Sequence, residues 1–487
     1  MDNRPKLLWA SFLTLIAAGM GFAVRGGILG DWELQFGFTK SELGNIIGGG
    51  LTGFGLIIIA SSLFVDKIGY KPILMIAFVL HIVSAGLTLA ATPVFEASGK
   101  DATYSCLFWG MFMFAIANGL CEAVINPLVA TLYPKKKTHY LNILHAGWPG
   151  GLILGALMAY LFVGKDAVVT QLEWEVSMCF FLIPVALYGL VVLKEKFPVS
   201  EAKAAGISFV QMLREFAAPM LLFLFVLHAM VGYVELGTDS WITNIMNNVI
   251  SGKALLLFIY TSAIMFVLRF FAGPIVERIN PVGLLCVSSV LGAVGLFVLG
   301  GAETGAMIVI AATTYGVGKT FLWPTMLGVV GERFPKGGAV TMGMIGGVGM
   351  LSAGLLGGPG IGYKQDKFAA QHLQQEAPEV YTEFKASKDN RFLFFPPVTG
   401  LDGAKAGKLS GKKKEDLTDD EKAVMAAQIY GGRMALKWTA AVPALMAIGY
   451  LMLVLYFRSK GGYQQEVLHG EAPDGEKYTG GVEGPVE

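Results

Sequence analysis

Ten ionisable side chains stand inside stretches that are otherwise apolar: Arg25, His81, Glu122, His145, His228, Glu235, Asp239, Arg269, Lys319 and Lys437. A charge surrounded by hydrocarbon is costly unless it faces a partner or water, so each is a candidate for function. Glu122 stands five residues before Pro127 and Lys319 five before Pro324, which predicts an acid and a base facing each other across one cavity. Arg25 adds a second cation there. In a medium of low dielectric a carboxylate changes its pairing sharply when it takes up a proton, so this set of groups suits proton coupling. Of the remainder, His81 and His228 read as bonded core residues, and Arg269 and Lys437, near the ends of their runs, as side chains that snorkel outward.

The elements that must position these groups are membrane helices. Of 487 residues 54% are hydrophobic and 15% charged, against roughly a quarter charged in a soluble chain. Apolar runs of about 20 residues, the length that crosses a bilayer, lie near 7–30, 44–65, 73–95, 104–132, 140–163 and 172–194, and again near 217–246, 254–276, 281–301, 304–330, 338–361 and 434–457. The 63 glycines accompany Leu, Ile, Val, Ala and Phe, as expected where helices pack closely. Gly48-Gly49-Gly50 and Gly357-Gly358-Pro359-Gly360 sit in such runs, which argues against a phosphate-binding loop. A net charge of +1 provides no basic face for nucleic acid. Cys106, Cys121, Cys179 and Cys286 lack metal or redox spacing and read as buried hydrophobes. With no nucleophile and base at suitable spacing and no metal cluster, the sequence points away from an enzyme and calls for no cofactor.

Orientation follows from Lys and Arg in the short loops. With the N-terminus inside, the inner loops hold fourteen and the outer loops four, Lys40, Lys100, Lys165 and Lys253. Both termini are therefore expected in the cytoplasm, and Arg4 and Lys6 read as flanking a first span rather than a cleaved signal. The two halves repeat. Val65-Asp66-Lys67-Ile68-Gly69 is echoed by Val276-Glu277-Arg278-Ile279-Asn280, 211 residues on. Gly21-Phe22 is echoed by Gly232-Tyr233 at the same offset, and Tyr133-Pro134-Lys135 by Phe334-Pro335-Lys336.

Six plus six spans with a basic loop between them resemble the major facilitator superfamily. Ser62 to Lys71, SLFVDKIGYK, resembles its signature loop between spans 2 and 3, with Asp66, Lys67, Gly69 and Lys71 in register. The resemblance implies an all-α membrane protein of 12 transmembrane helices in two pseudo-symmetric six-helix bundles. The expected parts are an N-terminal bundle at 1–194, a cytoplasmic central loop at 195–215, and a C-terminal bundle at 216–361 and 434–457. An extracytoplasmic insertion at 362–433 and a cytoplasmic tail at 458–487 complete them. The signature loop and its echo at Glu277 and Arg278 are expected to form a conformational latch, in which an acid meets basic groups and a helix terminus across the gap between bundles.

The fit narrows around Glu122. Gly119 to Pro127, GLCEAVINP, resembles the fourth span of the fucose permease family, and Leu141-Asn142-Ile143-Leu144-His145 its next span, with His145 where that family has Gln. Gly232-Tyr233-Val234-Glu235 resembles its span 7 region. The resemblance implies a proton and sugar site at Glu122, with Glu235 and His145 completing the proton-coupling set. Hydroxyl-bearing ligands need amides and aromatic rings, and Asn118, Asn126, Asn142, Trp148, Tyr233, Asn244, Tyr315 and Trp323 are of that kind. With Arg25, Asp239 and Lys319 most of these make up the expected substrate site. Where that family has an acid in span 1, this chain has Arg25-Gly26-Gly27. The expected function is proton-coupled symport of a sugar or similar small polar metabolite by alternating access, by a monomer in a bacterial inner membrane. Two alternatives stay open: an organic-anion carrier using Arg25 and Lys319, and a membrane sensor that keeps the fold without moving a solute. Thr418 and Glu421 have capping-box spacing and predict an outer helix within the insertion, while the tail after Phe457 reads as disordered.

Overall fold

The computed structural model describes residues 3–163, 167–250, 254–409, 412, 414–466, 468, 470–471 and 477–478. Twelve spans form two bundles. In the first, span 1 is Arg4–Gly27, span 2 Lys40–Ile68, span 3 starts at Tyr70–Leu89, span 5 is Lys137–Phe162 and span 6 comprises Trp174–Cys179 and Leu182–Lys194. The continuous run Ala91–Leu132 breaks at Gly99, whose φ of 76° lies in the left-handed region, so it finishes span 3 and then forms span 4. Asn280, at φ 55°, divides Ala272–Gly301 in the same way. Span 8 is therefore Ala254–Arg269 continued through 272–279, and span 9 follows it.

Among the described residues eleven helices are long and apolar enough to cross a membrane, and Ala254–Arg269 is a shorter apolar helix. With span 8 completed past Arg269, the count of twelve agrees with the sequence. Span 10 joins Gly305–Thr320 to Leu322–Arg333. Spans 7 and 11 each contain a π-helical turn, Tyr233–Gly237 between Pro219–Gly232 and Thr238–Val249, and Ala353–Gly357 between Gly338–Ser352 and Gly358–Glu376. Such turns occur mostly at functional sites. Here they pack on each other through bare backbone: a Cβ on Gly232 would stand 1.9 Å from the Gly349 oxygen, and one on Gly237 2.7 Å from the Gly357 Cα.

The glycine reading holds elsewhere too. Span 5 lies so close to span 1 that a Cβ on Gly151 would be 2.3 Å from the Ile16 oxygen. The cysteines depart from expectation: Cys121 is buried, but Cys179 is exposed and Cys106 and Cys286 are half-buried.

Span 11 does not stop near residue 361 but runs as helix to Glu376, and span 12 begins as helix at Asp419 rather than 434 and continues through Ala441–Ser459. The Thr418 capping box is formed and opens this long helix. Between the two extensions, Pro378–Phe384 and Gly403–Leu409 enclose a small core of Leu373, Val380, Phe384, Leu409 and Val424. Bridges Lys385–Leu401 and Asn390–Val398 close the loop between them. The tail contributes a two-residue antiparallel pair, Gly470–Glu471 with Lys477–Tyr478.

Candidate functional site

The central polar network starts on span 4. Asn126 donates through Nδ2 to Glu122 Oε2 at 2.7 Å and to the Glu122 main-chain oxygen at 2.9 Å, and its Oδ1 lies 2.8 Å from His145 Nε2 on span 5. The His145 carbonyl accepts from Arg269 Nη1 at 2.6 Å, across the gap between the bundles. Arg269 Nη2 donates to Glu235 Oε1 at 2.9 Å and Nε to the Thr320 oxygen at 2.7 Å. Glu235 Oε2 is buried without a hydrogen-bond partner. The arginine is 1% exposed; it does not snorkel, and it is the cation on which both bundles converge.

Lys319 pairs with Asp239 at 2.5 Å and lies 5.2 Å from the centre of the Tyr315 ring. Its partner is therefore a carboxylate of its own bundle and not Glu122. Both acids of span 7 leave the neighbourhood of the π turn Tyr233–Gly237, which places Glu235 toward span 8 and Asp239 toward span 10. Tyr315 donates its hydroxyl proton to the Val234 oxygen at 2.9 Å, holding that turn.

Arg25 lies apart from this network. Its Nη2 donates to Ser84 Oγ at 2.8 Å, Nη1 to the Gly21 oxygen at 3.2 Å, and its guanidinium rests on the Phe114 ring at 4.0 Å, a cation–π arrangement. Nearby, His81 Nε2 is 3.0 Å from Asn118 Oδ1 and Nδ1 is 2.7 Å from the Tyr188 hydroxyl. Arg25 and Asn118 thus belong to the interior of the first bundle.

The remaining candidates spread over four places. Asn142 donates to the Thr138 oxygen and to Thr325 Oγ1 at 3.1 Å, joining spans 5 and 10. Trp148 packs on Phe22, and Trp323 on His228 at 4.6 Å between ring centres. Tyr233 accepts from Lys364 Nζ at 3.1 Å. Among these, Glu122, Asn126, His145 and Glu235 are brought together, Asp239 and Lys319 adjoin them, and Arg25, Asn118, Asn142 and Tyr233 stand elsewhere. The expected convergence of Arg25 with Glu122 and Lys319 is not what the structure contains.

At the end carrying both termini the bundles meet tightly. Asp66 turns its carboxylate to the first turn of span 11, with the Ala339 amide and Ser200 hydroxyl as polar neighbours, and Oδ2 would be 3.1 Å from a Cβ on Gly338. Lys71 donates to the Leu193 and Glu195 oxygens, capping span 6. Lys67 is exposed and Gly69 sits at φ 95°, where the chain turns into span 3. The second copy differs: Glu277 and Arg278 are exposed, and Glu277 meets Lys136 loosely, at 3.8 Å.

Glu332, which the sequence did not single out, takes the place that Glu277 leaves. Its Oε1 accepts from the Thr138 amide at 3.1 Å and Thr138 Oγ1 at 2.6 Å, so span 10 caps the N-terminus of span 5. Lys137, 1% exposed, bonds Glu201 at 2.6 Å and the Gly331 oxygen at 3.0 Å. The tail completes this closure. Tyr463 donates to Glu332 Oε2 at 2.7 Å, Arg333 pairs with Glu466 at 3.0 Å, and Gln465 reaches the Pro134 oxygen in the other bundle.

The model of the Major Facilitator Superfamily matches residues 11–358. Proteins named TsgA homolog from Buchnera aphidicola subsp. Acyrthosiphon pisum are 25% identical over 165 residues, which is 34% of this chain and 40% of theirs, so the match spans under half of those relatives. Among solved structures, the proton:xylose symporter XylE shares 13% identity at a TM-score of 0.64, over 93% of this chain and 96% of that one. A bacterial Spinster homologue, inward-facing and unoccupied, gives 0.62 at 17% identity over 92% and 96%. The E. coli fucose:proton symporter FucP, in its outward conformation, gives 0.57 at 17% over 90% and 98%. At these identities the likeness is one of fold. The extent of the family match and the two like bundles agree: the chain is a multi-pass membrane protein that belongs to the major facilitator superfamily.

Proposed function

We propose that the chain is a proton-coupled symporter of a sugar or similar small polar metabolite, working by alternating access between its two bundles. The observation that carries this reading is the set of bonds at Arg269, held by Glu235 in one bundle and by the His145 carbonyl in the other. Neutralising one partner of a buried ion pair leaves the other as an uncompensated buried charge, which strongly destabilises the arrangement. Protonating Glu235 removes the charge that fixes the guanidinium, which frees the bond to span 5 and lets the bundles shift. Glu122, joined to His145 through Asn126 and within electrostatic reach of Arg269, is the second proton carrier of the route.

Structures similar in fold include a fucose:proton symporter and a proton:xylose symporter, which supports the choice of coupling ion and solute. The pairing of Lys319 with Asp239, and the place of Arg25 on Ser84 and Phe114, argue against an anion clamp built from these two cations. On the loop charges, the termini and the tail lie in the cytoplasm and the insertion outside, in a bacterial inner membrane, with the monomer as the working unit.

The test is uptake of radiolabelled hexoses into proteoliposomes under an imposed pH gradient. Glu122→Gln is expected to abolish accumulation while leaving exchange of labelled for unlabelled solute. Unchanged pH-driven accumulation in that variant would overturn the proton role.

A further inference from the structure

Beyond the central network a cavity of about 460 Å³ lies at the end opposite the termini, between the extensions of spans 11 and 12, the end of span 7 and the insertion. Its polar lining is Trp241, Asn244, Gln365, Asp366, Asn390 and Gln428. Four of the six are amides, one is an indole and one a carboxylate; among the described residues the lining contains no Lys or Arg. An anion would meet only the Asp366 carboxylate, and a divalent cation would find a single carboxylate already bonded to Asn390 Nδ2 at 2.7 Å. The lining thus favours an uncharged polar solute.

Two buried atoms sharpen this. Gln365 Nε2, a donor, and Gln428 Oε1, an acceptor, have no hydrogen-bond partner. Both atoms are covered in this state, and a hydroxyl is the small group that would accept from the first and donate to the second once the two side chains turn toward the cavity. Trp241 spends its Nε1 proton on the Gly358 oxygen at 2.8 Å, which fixes the ring. Gly362 lets it sit close, since a Cβ there would be 3.1 Å from Cζ2. A fixed indole beside several amides suits a molecule with an apolar C–H face and hydroxyl edges.

We propose that this cavity is an outer capture site for an uncharged polyhydroxylated solute, built by the insertion on the C-terminal bundle. The choice of solute class rests on the symport reading; the site itself does not. Asn390, carried by the bridged loop of the insertion, closes the cavity over Asp366, and the insertion thereby gains a role in raising solute concentration at the entrance.

The experiment uses the full chain in nanodiscs with Cys179→Ser and Gly403→Cys, a position where a Cβ meets nothing within 4 Å. The rate of maleimide labelling at residue 403 is measured with D-glucose, L-fucose or D-mannitol at 10 mM, about the range of a weak capture site, and with sodium acetate. At least one polyol is expected to slow labelling threefold or more, with acetate without effect. The protection is expected to vanish in Gln428→Leu and to persist in Glu122→Gln. Equal rates with every polyol, protection by acetate alone, or protection that survives Gln428→Leu would each overturn the proposal. Protection without any hexose uptake would overturn the symport reading and leave the capture site standing.

Discussion

Arg269 and Glu235 face each other at 2.9 Å in the middle of the protein, and the same guanidinium reaches the His145 carbonyl of the opposite bundle at 2.6 Å. One cation thus balances the charge of Glu235 and makes a polar contact between the two bundles at their centre. Breaking a buried pair from one side costs about 3–5 kcal/mol. Arg269→Ala is therefore expected to lose uptake and to melt well below the parent protein in detergent. The double change Arg269→Gln with Glu235→Gln should regain most of the melting temperature and none of the coupling. Uptake retained in Arg269→Ala would remove this pair from the mechanism.

Glu332 caps span 5 from span 10. Glu332→Ala leaves the Thr138 amide and hydroxyl without their acceptor, a loss of roughly 1–3 kcal/mol for a buried group, or about five- to 150-fold in local opening. Amide hydrogen exchange over residues 138–142 should rise by that factor. Exchange unchanged there would show that the contact does not hold the bundles together.

Asp66 addresses the positive end of span 11. Charge at a helix N-terminus contributes about 0.3–1 kcal/mol when exposed and up to ~2 when partly buried. Asp66→Asn is expected to shift the balance between access states two- to thirtyfold away from the closed end seen here, read by labels on spans 2 and 11. Glu277→Gln, exposed on both sides of its weak pair, should shift it far less. Equal effects would contradict the asymmetry of the two copies.

Gly232 and Gly349 touch backbone to backbone at the level of the π turns. Gly232→Ala overpacks this contact, at about 1–3 kcal/mol, and is expected to lower both melting temperature and transport rate. Gly26→Ala, with open space around its Cβ, serves as the control and should leave both unchanged.

Twelve spans were legible because each announces itself by length and apolarity, and the pairing of Glu122 with its Asn-Pro context placed one acid correctly at the centre. Arg269 was misread for a physical reason. It stands toward the end of an apolar run, and position in a run was taken for depth in the membrane. The chain turns at Phe270 and Phe271 and continues as helix through 272–279, so the arginine is interior. A tally of charges points to it, since the three acids Glu122, Glu235 and Asp239 outnumber the two cations Arg25 and Lys319. The insertion was legible as an interruption but not in its ends, because helical extensions such as 363–376 are too polar to read as span. Arg25 illustrates the opposite error: as a buried cation it reads as facing the cavity of Glu122 and Lys319, whereas aromatic rings and a serine hold it inside the first bundle.

The bonds that Tyr463, Gln465 and Glu466 make over the junction of the bundles have a temporal meaning. These residues leave the ribosome after all twelve spans. A nascent chain inserted as far as Ser459 possesses the twelve described spans but not the clasp, so the closed end is finished only after the last of these helices has been made.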